Sequence, residues 1–169
     1  MPAAIPPVDP IGLRRVLGSF ATGVTIITTC DPAGAPVGLT ANSFNSVSLA
    51  PPLVLWSLRQ SSRAIEAFRA ASHWAVHVLA AQQQALSDRF ARAGEDRFAG
   101  IDWCAGVGRV PLLPGCAAVL QCRNVAQHAG GDHVILIGEV LACDHAPQPP
   151  LLFHGGRYAR LAAFEQCNA

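Results

Sequence analysis

The chain has 169 residues, enough for one domain with a single core, and 51% of them are hydrophobic against only 14% charged, where an ordinary domain carries about 25% charged. A formal net charge of +1 without any Lys or Arg run offers a polyanion little to hold, so nucleic-acid binding is not expected. No apolar run reaches the roughly 18 residues of a membrane span, and MPAAIPPVDP lacks the basic and apolar regions of a secretory signal. These features describe a cytoplasmic protein of one domain over residues 1–169, without a membrane partner. So thin a charge set also hints that a second subunit covers part of the surface.

In chain order, Asp9-Pro10 is a helix start, a capping carboxylate followed by proline in the first turn. Leu13, Val16, Leu17 and Phe20 then form one apolar helical stripe, with Gly23 as the stop. VTIITTC (24–30) is β-branched, DPAGAP (31–36) is turn chemistry, and 24–30 should pair with 37–44 as a hairpin. LVLWSL (53–58) reads as a buried strand. Ser61 and Ser62 are placed to cap a short helix carrying Ile65 and Phe68. HWAVHVLA (73–80) returns to strand and QQQALSDRFARA (82–93) to helix, and 94–114 is irregular. CAAVLQCRNVAQ (116–127) and HVILIGEVLACDH (133–145) are long strands joined by the turn signal HAGGD. LLFHGGRYARLAAF closes the chain as an extended segment. No internal repeat stands out. Many strands, irregular turns and only short helices argue against a doubly wound sheet. They favour a mostly β fold, a closed antiparallel barrel with short peripheral α-helices.

The cysteines (Cys30, Cys104, Cys116, Cys122, Cys143, Cys167) show no CxxC and read as reduced thiols, mostly small core residues. His73 and His77 have the spacing of a helical metal pair, but they lie in a strand pattern with no HExxH glutamate, which favours core or rim histidines. Neither GxGxxG nor GxxxxGK[ST] nor a GxSxG elbow occurs, so no Rossmann, P-loop or hydrolase chemistry is indicated.

Four segments carry polar groups that could form a site. TANSFNSVS (40–48) crowds hydroxyls and amides between apolar strands. It is either a solvated edge and turn or the wall that reads the rim of a planar heterocycle. SLRQSSRAIEAF places Ser61, Ser62 and Arg63 at an expected helix start, where N–H groups and a guanidinium converge on an anion; a merely capped surface helix is the alternative. Asp132-His133, after Gly130-Gly131, is either plain turn chemistry at the mouth of a hairpin or an imidazole presented at a barrel rim, and His154-Gly155-Gly156-Arg157-Tyr158 is a similarly poised loop near the C-terminus.

LGSFATGVTIITT (17–29), GLTANSFNSVSLAPPLVLWSL (38–58), SSRAIEAF (61–68), LSDRFA (86–91), GDHVILIGEV (131–140) and LLFHGGRY (151–158) together resemble the short flavin reductases. These supply reduced flavin to two-component monooxygenases, and the resemblance runs from about residue 12 to residue 162. It implies a split β-barrel with a Greek-key core, a homodimer with one flavin near each subunit interface, and NADH or NADPH as hydride donor. By position, Thr40, Ala41, Asn42 and Ser43 would line the flavin edge, with Ser46, Val47 and Ser48 close by. Trp56, Ser57 and Leu58 would flank the ring. Ser61, Ser62, Arg63, Arg89 and Phe90 would form the phosphate end. His133 would face the nicotinamide as the catalytic residue, with Tyr158 nearby. His77 stands where relatives often carry asparagine, and Trp56 at a place that varies with flavin preference.

The cofactors carry the hydride chemistry, so the protein's task is to position two rings and exclude water. FMN is expected over FAD because no adenosine site is visible. A split-barrel protein that keeps FMN and reduces another acceptor, such as cob(II)alamin or a metal chelate, is the competing enzymatic reading. A non-catalytic flavin-binding module is the other.

Overall fold

The computed structural model describes residues 7–94 and 96–162; Cys167 and the last residues of the expected C-terminal segment lie outside them. Helix α1 (Pro10–Gly18) begins as expected, with the Asp9 carboxylate accepting from the Ile11 and Gly12 amides at 3.1 and 2.8 Å. It stops at Ser19 rather than Gly23, because Thr22–Gly23 forms strand β1 against Leu152 and Phe153. The apolar stripe is real but faces outward: Val16, Leu17 and Phe20 are 69%, 64% and 74% exposed.

Strands β2 (Thr25–Cys30) and β3 (Pro36–Ala41) form the expected hairpin. Strand β4 (Asn45–Leu49) folds back on β5 (Pro52–Arg59), which leads to helix α2 (Ile65–Ala70). Then come β6 (His73–Val78), helix α3 (Gln84–Ala91), and the short pair β7 (Cys104–Ala105) and β8 (Pro111–Leu112) within the irregular stretch. The long hairpin β9 (Ala118–Gly130) and β10 (His133–His145) turns on Gly131-Asp132. A terminal hairpin follows, β11 (Leu152–His154) and β12 (Arg157–Ala159). Helix α2 starts later than Ser61-Ser62 would place it. Residues 59–65 turn first, with Ser62 N–H on Arg59 O and Ile65 N–H on Ser62 O, so Ala64 is the N-cap and offers no side-chain bond.

The main sheet has seven antiparallel strands in the order β3-β2-β6-β9-β10-β5-β4, and β1-β11-β12 is a separate sheet. The expected closed barrel is therefore corrected: β3 and β4 are free edges that do not pair with each other. The break falls at Asn42–Phe44. Strand β4 pairs with β5 only as far as Leu55. Beyond that point the Ser43 hydroxyl takes over, accepting from Ser57 N–H and donating to Ser57 O, both at 3.0 Å. A side chain thus completes β5's backbone bonding where a strand has run out.

Strand β2 is buried on both faces, and its β-branched run TIITTC has no exposed position. Ile27 enters a cluster with Trp56, Phe68, Trp74 and Leu136, and Ile26 one with Leu79, Phe90, Leu113 and Leu151. Its threonines reach backbone carbonyls: Thr25 donates to Ala41 O, Thr28 to Pro111 O and Thr29 to His73 O, at 2.6 to 2.8 Å. Trp56 meets Phe68 and Trp74 edge-on at 4.8 and 6.2 Å. Gly138 makes room for Trp74, whose ring a Cβ there would overlap. No helix among the described residues is long and apolar enough to cross a membrane.

Candidate functional site

Where the sheet opens between β3 and β5, a cavity of about 530 Å³ forms. Strand β3 and the bend after it supply Leu39, Thr40, Ala41, Asn42 and Ser43; β5 supplies Ser57, Leu58 and Arg59. Ser62 follows from the turn, Phe90 and Ala91 from the end of α3, Arg97 from the loop beyond, and His133 from the start of β10. Nine residues expected from sequence thus share one cavity: Thr40, Ala41, Asn42, Ser43, Ser57, Leu58, Ser62, Phe90 and His133.

The polar run mostly answers its own needs. Thr40 donates to Ser87 O at 2.6 Å, and Ser43 is held by Ser57. Asn45 Oδ1 accepts from Ser46 N–H and Ser48 Oγ from Ala50 N–H. Ser46, Val47 and Ser48 therefore belong to edge strand β4 and do not line the cavity. Asn42 differs: its side chain has no hydrogen-bond partner among the described residues, and it borders both this cavity and the next. A polar group left over at a cavity wall is available to a ligand.

His133 is placed the same way. Its Nδ1 bonds Asp132 Oδ1 at 2.6 Å, leaving Nε2 as the ring nitrogen available to the cavity. Strand register sets Arg59 opposite it. The His133 bond, helped by the charges of His133 and Arg59, holds the exposed Asp132 carboxyl below its usual range. His77 contrasts with it. Fully buried, it bonds Ile26 O through Nδ1 and accepts from Leu113 N–H through Nε2, both at 3.1 Å. Those partners define the neutral ring, and burial depresses its pKa to about 4. Among the described residues no cluster of ligating side chains could hold a metal ion.

The remaining expected residues lie elsewhere. The Trp56 side chain is fully buried between Phe68 and Trp74, so only its neighbours Ser57 and Leu58 reach the cavity. Ser61 sits exposed in the turn before α2. Arg63 lines an adjoining cavity of about 300 Å³ that shares Arg97 with the main one. Arg89 is turned away, donating to Asp96 O and Ala99 O at 3.0 and 2.5 Å. Tyr158 lines an annex of about 210 Å³ with Val24 and Phe153, which shares Thr40, Ala41, Asn42 and Ala91 with the main cavity as lining. His133 and Tyr158 thus border different cavities.

Arg59 and Arg97 are the cations that sequence reading missed. The signal for Arg97 was present as a duplication, DRFA at 88–91 and again at 96–99. The repeat has a structural result. Phe90 and Phe98 pack edge-on at 5.1 Å, and both press on Gly38, where a Cβ would meet them at 2.7 and 3.1 Å. Arg97 donates to Gly38 O and twice to Arg92 O, at 2.6 to 3.0 Å, closing the loop over β3. Burial without a carboxylate partner pulls its pKa down from the ordinary guanidinium value. The Arg59 and Arg63 side chains make no hydrogen bond or ion pair among the described residues, so their charge remains available at the cavity rims.

A family model described as flavin reductase like domain matches residues 17–162. The FMN reductase (NADH) SmoA of Agrobacterium fabrum is 49% identical over 149 residues, covering 88% of this chain and 84% of that protein. The flavin-dependent monooxygenase reductase subunit HsaB of Rhodococcus jostii is 43% identical, over 89% of this chain and 77% of its own. Other relatives are longer: the chain spans about half, 48%, of a probable flavin reductase of Rhizobium meliloti. Among solved structures, the Streptomyces globisporus NADH:FAD oxidoreductase SgcE6, in complex with NAD and FAD fragments, superposes with a TM-score of 0.87 at 40% identity, covering 95% of this chain and 99% of its own. A mostly β fold, an open polar cavity beside an edge strand and this match over nearly the whole chain agree: the protein belongs to the flavin reductase like domain family.

Proposed function

We propose that the protein is an NADH-dependent flavin reductase that passes reduced flavin to a separate monooxygenase component. The cavity between β3 and β5 carries the reading: one wall is polar with Asn42 and His133 unfilled, and the adjoining annex is apolar. A flavin ring has the same two-sided chemistry, so the residues present fit the group.

Bound flavin supplies the hydride acceptor, and reduced nicotinamide the donor. The chain's own residues bind and orient. Asn42 and the β3 edge meet the polar rim of the ring. Ser43 and Ser57 keep that wall rigid through their mutual bonds. Arg59, Arg63 and Ser62 provide charge and a hydroxyl for the flavin phosphate, neither guanidinium being held in an ion pair among the described residues. His133, steadied by Asp132, contacts the nicotinamide end through Nε2 and moves no proton in the hydride step. The open cavity suits a flavin that enters and leaves.

The β3 and β4 edges flank the opening of what we read as a split barrel, and the protein works as a cytoplasmic homodimer. Support for the dimer is the outward apolar face of α1, joined by Val8 and Ile11 at 70% and 66% exposed and by Leu49 of β4 at 94%. Light scattering should give about 35 kDa, twice the 17.7 kDa chain. NADH oxidation with and without added FMN, FAD and riboflavin tests the activity; a rate that no flavin raises above the spontaneous one rejects it.

A further inference from the structure

The annex beside the main cavity has a chemistry of its own. Val24, Ala91, Phe153 and Tyr158 give it apolar walls, while the main cavity is bordered by Asn42, Ser57, Arg59 and His133. Thr40, Ala41 and Asn42 border both spaces, so a planar ring laid across them would have a polar end in one and an apolar end in the other. A flavin ring has such ends: a pyrimidine rim of carbonyls and N–H, and a benzene edge carrying two methyl groups.

The annex also has a builder. Tyr158 O–H donates to Asp88 Oδ1 at 2.8 Å. With that single proton used, the 2.9 Å bond to Ser87 must run from Ser87 O–H to the Tyr158 oxygen. Ser87 O in turn accepts from Thr40 O–H. A directed chain therefore links α3, the β11–β12 hairpin and the shared wall. It fixes the phenol ring, which packs edge-on to Phe153 at 5.6 Å.

Resting on the flavin reading above, we propose that the annex is the subsite for the dimethylbenzene edge of the flavin, and that Asp88, acting through Tyr158, is a positioning residue that sets its shape. The site then discriminates at the two methyl positions of the ring, far from any phosphate.

The test is affinity rather than turnover: riboflavin against 7,8-didemethylriboflavin, which carries hydrogens in place of both methyls, titrated by flavin fluorescence. The wild-type protein should prefer riboflavin roughly tenfold, the worth of two buried methyl groups. Tyr158→Ala and Asp88→Ala should shrink that ratio toward one by weakening riboflavin selectively. Asp88→Asn, whose amide oxygen still accepts the phenol proton, should restore it. If Asp88→Ala does not fold, Tyr158→Phe removes the same bond while keeping the ring and should also lower the ratio. Equal loss for both flavins in every variant, or no preference in the wild type, overturns the annex and leaves flavin binding standing. Failure of the wild type to bind either flavin overturns both.

Discussion

His77 and His133 lie on strands of one sheet, yet one is surrounded by satisfied groups and the other by spare ones. Around His77, both ring nitrogens and the nearby threonine hydroxyls end on backbone groups. Around His133 three groups stop short, with Nε2, the Asn42 amide and the Arg59 guanidinium all left for something else. The arginines repeat the contrast. Arg89 and Arg97 fasten the 92–99 loop through carbonyls, while Arg59 and Arg63 fasten nothing among the described residues. Spare bonding capacity beside a cavity, more than residue type, marks the site.

The largest effect should come from the satisfied side. His77→Ala leaves the Leu113 N–H buried without its partner and opens a void, which should cost about 3–5 kcal/mol in denaturant unfolding. Flavin affinity of the folded variant should be unchanged. An affinity loss out of proportion to unfolding would move His77 into the site.

Acid should probe the same contrast at slightly smaller scale. The His77 imidazole takes a proton near pH 6.5 when unfolded and only near 4 when folded. The unfolded state therefore binds more protons in that window. Stability is full above about pH 6.5 and falls as the pH drops toward 4, by about 3 kcal/mol. Urea titrations at pH 7 and pH 4.5 should show the drop, and His77→Gln should flatten it.

The arginines sharpen the comparison next. Arg59→Ala or Arg63→Ala should weaken FMN binding by about 1.5–3 kcal/mol while sparing riboflavin, which has no phosphate. Arg89→Ala, which loosens the loop, should reduce stability and affect both flavins alike. A phosphate-selective loss at Arg89 would undo the division drawn here.

The smallest effect belongs to His133. His133→Ala should raise the KM for NADH about tenfold, near 1.4 kcal/mol, with flavin affinity and melting temperature little changed. A fall in kcat approaching the 10²–10⁴-fold of a lost proton-transfer group would contradict the role given to it.

How much of this could be read in the sequence follows the same line. The strands were legible because β2, β6, β9 and β10 are rich in β-branched and apolar residues and are bounded by turn residues, a pattern that local physics decides. The wall at 40–43 was legible because its polar density is costly unless answered. What stayed hidden depends on distant partners. Nothing local shows that Ser43 would replace a strand beside Ser57, leaving the sheet unclosed, or that α1's apolar stripe would face outward. Arg89 and Arg97 share DRFA surroundings, and nothing local separates them from an arginine free to bind an anion; only the tertiary fold turns their donors to carbonyls. Trp56 belongs to the polar-flanked strand β5, but strand alternation sends its ring to the core while Ser57 faces the opening.

One experiment bears most directly on the central assignment. The purified protein, stripped of any flavin, is mixed anaerobically with NADH and increasing FMN, FAD or riboflavin, and bleaching of the visible flavin absorbance is followed. The account predicts a protein-dependent rate that saturates in flavin and in NADH, with FMN preferred through Arg59 and Arg63. Bleaching no faster than in the protein-free control, for all three flavins, would contradict it.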